Sequence, residues 1–366
     1  MSVISLSSGI ILIAATLSYL GKLWTPGQHP SIPSPFKATI MRNLPALVRE
    51  KFKAAQATGD ITYFQTQLTI LHCNSLPFQL RYSPALAHKP KADKPKDTSQ
   101  KPFNPFLKPS PSLLVTEFGS HNLILNKFPV IPDHFILSTK EFEEQTHLLE
   151  EADLVAAYDC LESYHAEGEE LFGFFNSGQY SGASQPHRHI QFLPVESMRA
   201  GLEKELEWSP LIDRLVDTPA PELPFTYFAA SFPSNVQPSD LHATYLKLHQ
   251  KACQLMKTMP SQDHKEESPI SYNLGLTNKS MVLCPRTSEG LEIKNVDGKN
   301  IGSVALNGTL LAGTLLVKSE IEWDAVRKDE GILFNVLKTI GVPLHNTVDP
   351  HQTNSGTFDK SLDGKI

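Results

Sequence analysis

Two histidines one residue apart, followed at the next alternate position by an amide, close the string NSGQYSGASQPHRHIQ over residues 176–191. Side chains alternate across an extended strand. His187, His189 and Gln191 therefore point to one face, and Arg188, Ile190 and Phe192 to the other. The glycines and serines just upstream allow a tight loop whose backbone N–H groups converge on an anion, and Ser184 and Gln185 add side-chain donors. A neutral imidazole is a competent nucleophile toward activated phosphorus when its second ring nitrogen is held as a donor. A neighbouring histidine and an amide can position phosphate oxygens and offset the charge that develops on them. Such transfers ask for little beyond positioning and electrostatics.

Two other readings stand beside this one. The chain has 14 histidines, so an isolated H-x-H carries little weight and can be an ordinary strand or half of a metal site. Zinc would want a third and a fourth ligand, and no cysteine lies close by. Cys73, Cys160, Cys253 and Cys284 are too widely spaced for a zinc knuckle or a disulfide framework and read as thiols in a reducing compartment. The net charge of −6, with 33 basic residues, argues against an extended nucleic-acid surface but leaves room for a basic pocket.

The elements that must hold the motif follow from patterning. The 366 residues, 40% hydrophobic and 20% charged, suffice for one large domain or two ordinary ones. Helical spacing predicts helices over 45–59, 147–166 and 241–259, the first stopped by Gly59. Strands are predicted over 61–73, 76–82, 112–118, 122–131, 134–139 and 171–178, then over 225–232, 271–277, 280–285 and 309–317. This interleaving lacks a regular βαβ beat and points to an α+β fold with largely antiparallel sheet. Residues 88–112 are rich in Lys and Pro and read as a surface loop or as a flap bringing lysines to an anionic ligand. Residues 25–37 read as a Pro/Ser linker, and the last 20 or so residues as a polar tail. The uncharged segment 2–21 has the length of a membrane span but no basic residues before it. An anchor, a weak signal peptide, a buried helix and a misassigned start all remain open for it.

At this point the residues resemble a known family. NSGQYSGASQPHRHIQ is similar to the signature of the transferase branch of the histidine-triad superfamily, and within it to the diadenosine tetraphosphate phosphorylases, also called ATP adenylyltransferases. The likeness extends to SPALAHKP (83–90), LILNKFPVIPDH (123–134), SYNLGLTNKSMVLCPR (271–286) and LNGTLLAGTLLVK (306–318), covering roughly residues 44–340. It implies two histidine-triad-like halves, 44–205 with the motif and 220–345 completing the substrate site, flanked by segments 1–43 and 346–366. It also implies a ping-pong reaction. His189 attacks the α-phosphorus of the dinucleotide, ATP leaves, and inorganic phosphate takes AMP off the histidine as ADP. His187 and Gln191 would assist. Gln191 stands where the superfamily's hydrolases have a third histidine, and an amide is neither acid nor base near neutral pH.

Carried over by position, the resemblance implies ligand contacts from Lys89, Asn126, Lys127 and Asn176, and from the loop Gly182, Ala183, Ser184 and Gln185. From the second half it implies Asn307, Gly308, Thr309, Thr314 and Lys318, although a surface turn and a buried strand would explain those residues equally. Ala183 and Gly308 stand where serine is common in relatives, and Thr314 at a methionine-like position. A divalent cation, magnesium, is expected to accompany the polyphosphate, with no tightly bound cofactor and no metal site in the protein. The expected partners are nucleotides and phosphate, not nucleic acid, for a cytoplasmic monomer; a nuclear address and a membrane tether through 2–21 are lesser alternatives. Exchange of sulfate for phosphate on adenylyl sulfate is an implied side activity. A sugar-phosphate uridylyltransferase and a non-catalytic nucleotide sensor are the alternatives, the first weakened by Arg188 and the scattered cysteines.

Overall fold

A computed structural model describes residues 43–85, 104–203, 206–217, 223–233, 236–260, 266–295 and 298–344. The apolar segment 2–21, the linker 25–37, most of the Lys/Pro-rich stretch including Lys89, and the tail from 346 lie outside the described residues.

Eight strands form one sheet that runs through both halves of the chain. In chain order they are β3 (Leu114–Phe118), β4 (His121–Leu125), β5 (Phe135–Thr139), β6 (Leu171–Ser177), β7 (His189–Pro194), β8 (Phe228–Ser231), β9 (Ser271–Leu276) and β10 (Ser280–Arg286). Their spatial order is β3-β4-β5-β7-β6-β9-β10-β8, and every pairing is antiparallel. The two halves meet at β6 and β9, where Asn176 faces Asn273 across the ladder. A smaller sheet holds β1 (Gln67–Cys73), β2 (Leu76–Tyr82) and β13 (Thr314–Val317), the last parallel to β2. A hairpin of β11 (Gly290–Lys294) and β12 (Asn300–Ala305) completes the strands.

Alternation along β6 and β7 assigns the two faces of the large sheet. Leu171, Phe175, Ile190 and Phe192 pack into one core with α1 (Leu44–Ala57), α2 (Glu151–Ala166) and α4 (Pro238–Leu255). Phe172, Phe174 and Leu193 pack into a second core with the small sheet and the helices α5 (Glu320–Lys328) and α6 (Glu330–Ile340). A short α3 (Val195–Arg199) follows β7. His189, Gln191 and Asn176 alternate with the first set, so they look out on the second face.

The expected α+β architecture with largely antiparallel sheet is what forms. Several boundaries differ. The expected strand 309–317 divides: Asn307 accepts the Thr309 N–H and starts a 3-10 helix over Gly308–Ala312, which Gly313 ends at φ +70° before β13 begins. β4 stops at Leu125, before the prolines at 129 and 132, and the stretch 61–66 runs irregularly beside Lys127 and Pro129. The expected helix at 147 starts at Glu151 with a capping box between Glu150 and Asp153. The hairpin β11–β12 and helices α5 and α6 had not been expected. All four cysteines are buried thiols rather than disulfides.

Candidate active site

The ladder between β6 and β7 extends only as far as Phe174 opposite Gln191, so the strands part just before Asn176 and His189. Gln145 fills the gap. Its Oε1 accepts the His189 N–H at 2.8 Å, and its Nε2 donates to the Asn176 carbonyl at 2.7 Å. One side-chain amide thus replaces the missing rungs and fixes the backbone on which two functional side chains stand.

His189 is 4% exposed. Its Nδ1 lies 2.8 Å from the His187 carbonyl oxygen. A carbonyl only accepts, so Nδ1 carries the proton and Nε2 carries the lone pair. No described residue bonds to Nε2. Burial lowers the pKa of this imidazole to about 4, which keeps it neutral at physiological pH. Phe106 packs against the ring at a centroid distance of 5.0 Å.

His187 plays a different part from the one its position suggested. Its ring is fully buried, with Nε2 donating to the Glu141 carbonyl at 3.0 Å and lying 2.8 Å from the Thr139 hydroxyl. Nδ1 is then an acceptor, and Asn104 Nδ2 supplies the proton at 2.9 Å. With both nitrogens engaged by protein groups, this residue acts on its neighbour through its carbonyl. Asn104 and Phe106 belong to the stretch read as loop or flap, so its described end, 104–112, leans on the motif.

Gln191 ends a directional chain. The Phe128 N–H donates to Asn126 Oδ1 at 2.9 Å, which turns Asn126 Nδ2 toward His134 Nδ1 at 3.1 Å. His134 Nε2 is therefore the protonated nitrogen, and it donates to Gln191 Oε1 at 3.1 Å. The Gln191 NH2 group is left to face outward. Asn126, expected to contact the ligand, sits in this chain.

Asn176 is set in the same manner from the other side. Its Oδ1 accepts the Gly308 N–H at 2.8 Å and Asn273 Nδ2 at 2.9 Å. Its own Nδ2 has no acceptor among the described residues. The Asn273 amide also donates to the Ser181 carbonyl at 2.9 Å, and Arg286 Nη1 donates to Asn273 Oδ1. Arg286, 1% exposed, gives its remaining N–H groups to the carbonyls of Ser288, Glu289, Leu306 and Ile340.

The loop after β6 is pinned at Gly182, whose φ is +78° and whose missing Cβ would lie 2.9 Å from the Asn307 Cβ. Beyond it Ala183 and Ser184 are exposed and Gln185 is half-buried; the Ala183 N–H donates to Ser181 Oγ at 3.3 Å, whereas those of Ser184 and Gln185 have no acceptor among the described residues. Gly308 is equally confined: a Cβ there would meet Phe174 at 2.8 Å and Asn176 at 2.9 Å, which explains the absence of a serine. Asn307 and Thr309 bond to each other, and the Thr309 hydroxyl lies 3.0 Å from the Thr314 carbonyl. Thr314 is buried with its hydroxyl 3.4 Å from Gln79 Oε1. Lys127 is exposed with its ammonium 5.6 Å from the Phe128 ring, and Lys318 is exposed as well.

The structure thus brings His189, Gln191, Asn176, the 182–185 loop and the 307–309 turn together. Gln145, His134, Asn104, Asn273 and Arg286 were missed. The arginine ending the otherwise apolar strand SMVLCPR and the histidine opening HFILST were the available signals. Among the described residues no group of three or more His, Cys, Asp or Glu is placed to hold a metal ion.

A histidine-triad-type α+β fold with a neutral, singly tethered imidazole beside a glycine-pinned loop fits a nucleotide-transfer class of protein. Two family models match in tandem: the Ap4A phosphorylase N-terminal domain over residues 37–213 and the ATP adenylyltransferase C-terminal domain over residues 221–343. The chain belongs to the diadenosine tetraphosphate (Ap4A) phosphorylase family. It is 29% identical over 329 residues to diadenosine 5',5'''-P1,P4-tetraphosphate phosphorylase 2 of Saccharomyces cerevisiae, covering 83% of this chain and 96% of that protein. It is 27% identical over 343 residues to Protein APA1 of the same yeast, covering 86% and 99%. The crystal structure of yeast Ap4A phosphorylase Apa2 superposes with a TM-score of 0.65 at 26% identity, over 83% of this chain and 96% of that one. Apa2 has also been solved with Ap4A, matching at a TM-score of 0.65 over 82% and 98%.

Proposed function

We propose that the protein cleaves diadenosine tetraphosphate with inorganic phosphate to give ATP and ADP, reversibly, through an adenylyl group carried on His189. The observation that carries this reading is the His189 tautomer. Nε2 holds an unshared pair in a buried, uncharged ring, and Nδ1–H is tied to the His187 carbonyl.

In the first step Nε2 attacks the α-phosphorus, the bond from phosphorus to the bridging oxygen breaks, and ATP departs with that electron pair. The ring becomes a cation, which the His187 carbonyl stabilises at Nδ1–H. The amides of Gln191 and Asn176 and the N–H groups of Ser184 and Gln185 donate to the phosphate oxygens. In the second step a phosphate oxygen attacks the same phosphorus, the P–N bond breaks, and ADP leaves with the imidazole neutral again. Gln191 cannot activate water, so the intermediate waits for phosphate.

Magnesium is proposed to arrive as part of the polyphosphate substrate rather than as a resident ion. Contacts from Lys127, Lys318 and Lys89 to the phosphates, exchange at adenylyl sulfate, and a monomeric, cytoplasmic state belong to the same reading. No helix among the described residues is long and apolar enough to cross a membrane.

The test is a product assay on diadenosine tetraphosphate with and without inorganic phosphate, using wild type and His189→Ala. Equal ATP and ADP, only with phosphate and only with His189, is expected. ATP plus AMP without phosphate would overturn the role given to Gln191.

A further inference from the structure

We infer that Arg286 and Asn273 form a positioning pair through which the second half of the chain sets the donor face of Asn176 and docks the 306–308 turn onto the phosphate loop. The inference deepens the proposed transfer reaction and rests on it for the identity of the ligand, a nucleoside polyphosphate.

The geometry is directional from end to end. A guanidinium can only donate, so the Arg286 contact fixes Asn273 Oδ1 as an acceptor and turns Asn273 Nδ2 the other way. That NH2 group bonds both Asn176 Oδ1 and the Ser181 carbonyl, each at 2.9 Å. The antiparallel register puts Asn273 directly opposite Asn176, so this pair is built into the β6–β9 ladder. Gly308 N–H supplies the second donor to Asn176 Oδ1, at 2.8 Å. Arg286 also reaches the turn that carries Gly308, through the Leu306 carbonyl at 3.1 Å. One cation therefore holds both donors that fix the Asn176 amide. If either donor were lost, the amide could rotate and turn its carbonyl oxygen toward the phosphates.

Arg286 makes no ion pair among the described residues, and its listeners are carbonyls and one amide. Burial depresses its pKa to about 10, which still leaves it charged at neutral pH. With no carboxylate in direct contact, and Glu289 acting on it only through space, the guanidinium is not paired off against a single counter-charge.

Asn273→Asp is the informative variant. It keeps an acceptor for Arg286 and replaces the donor with a second carboxylate oxygen facing Asn176 Oδ1. The variant is expected to fold, because the buried cation gains a counter-charge. Its kcat for phosphorolysis is expected to fall by about 100-fold, with a smaller change in KM. Asn176→Ala is expected to lose about as much, and the double variant no more than either alone, because both remove one donor. A folded Asn273→Asp enzyme within about threefold of wild-type kcat, or losses that multiply in the double variant, would overturn the inference. Should Asn273→Asp not fold, Arg286→Lys decides. It keeps the charge but loses the fork, and about a tenfold fall in kcat is expected against none if the pair is merely structural. If wild type itself shows no turnover, the transfer reading fails separately, and calorimetric titration with ATP tests the pair. Weaker binding by Asn273→Asp supports it, and equal binding refutes it.

Discussion

Two guanidinium groups are buried near the motif, and they differ in what surrounds them. Arg188 points to the packing face, where its Nη1 lies 3.1 Å from Asp153 and 3.2 Å from Glu150, and His121 approaches the same Asp153 carboxylate at 2.7 Å. Arg286 sits on the second half among carbonyls. The first cation is neutralised locally and anchors the catalytic strand to the start of α2. The second has no ion pair among the described residues and donates to Asn273, whose amide in turn bonds Asn176. Position beside His189 in sequence therefore does not turn Arg188 to the His189 face, whereas a residue nearly a hundred positions downstream is hydrogen-bonded through Asn273 to Asn176.

The contrast can be broken by exchanging its terms. Arg188→Met should act on stability. It leaves the buried Asp153 carboxylate with His121 as its remaining side-chain partner, while Glu150 is partly exposed, so a loss of about 3 kcal/mol is expected in urea unfolding, with near-normal turnover from the protein that remains folded. A large fall in kcat with intact stability would erase the distinction between the two arginines. Gln191→Glu should act on chemistry instead. It removes the outward NH2 group and adds negative charge toward phosphate oxygens, so kcat/KM is expected to drop by about 10²–10³-fold with little change in melting temperature.

Proton linkage sharpens the same division. Burial holds both His189 and His249 at about 4, against an ordinary value of 6.5. The unfolded chain takes up these protons as pH falls below 6.5, and the folded chain does so only near 4. Stability is therefore lost on acidification through that window, by up to about 1.4 kcal/mol per pH unit for each imidazole, and the slope fades as pH rises above 6.5. Turnover per folded molecule should hold until the pH approaches the His189 value. A rate that falls with an apparent pKa near that of a solvated imidazole would contradict the buried, neutral nucleophile. The smallest expected effect is that of Asn126→Ala, about tenfold in kcat, because His134 keeps its bond to Gln191 after losing its own orienting donor.

These differences mark what the sequence could and could not disclose. The motif, its alternation and the tight turn at Gly182 are local, and local spacing carried them. His189 and Gln191 do share a face opposite Ile190 and Phe192, as period-2 reasoning required. The strand pairing of Asn176 with Asn273 joins residues 97 positions apart, and no local pattern encodes such a register. The same holds for Gln145, which matters only because β6 and β7 part beside it. His187 was misjudged for a related reason. Alternation gives the side on which a ring lies but not whether Asn104, Thr139 and the Glu141 carbonyl will occupy its nitrogens. The strand expected over 309–317 failed at Asn307, whose cap is a local signal overshadowed by the apolar run after it.

The central claim is that His189 attacks through Nε2 because His187 holds Nδ1. It is tested by incubating wild-type protein with diadenosine tetraphosphate and no phosphate, then locating the label by mass spectrometry and assigning the modified ring nitrogen by phosphorus–nitrogen NMR. One adenylyl group on Nε2 of His189, discharged as ADP when phosphate is added, is the predicted result. An adduct on Nδ1, an adduct on His187, or turnover with no trapped adduct would contradict the account.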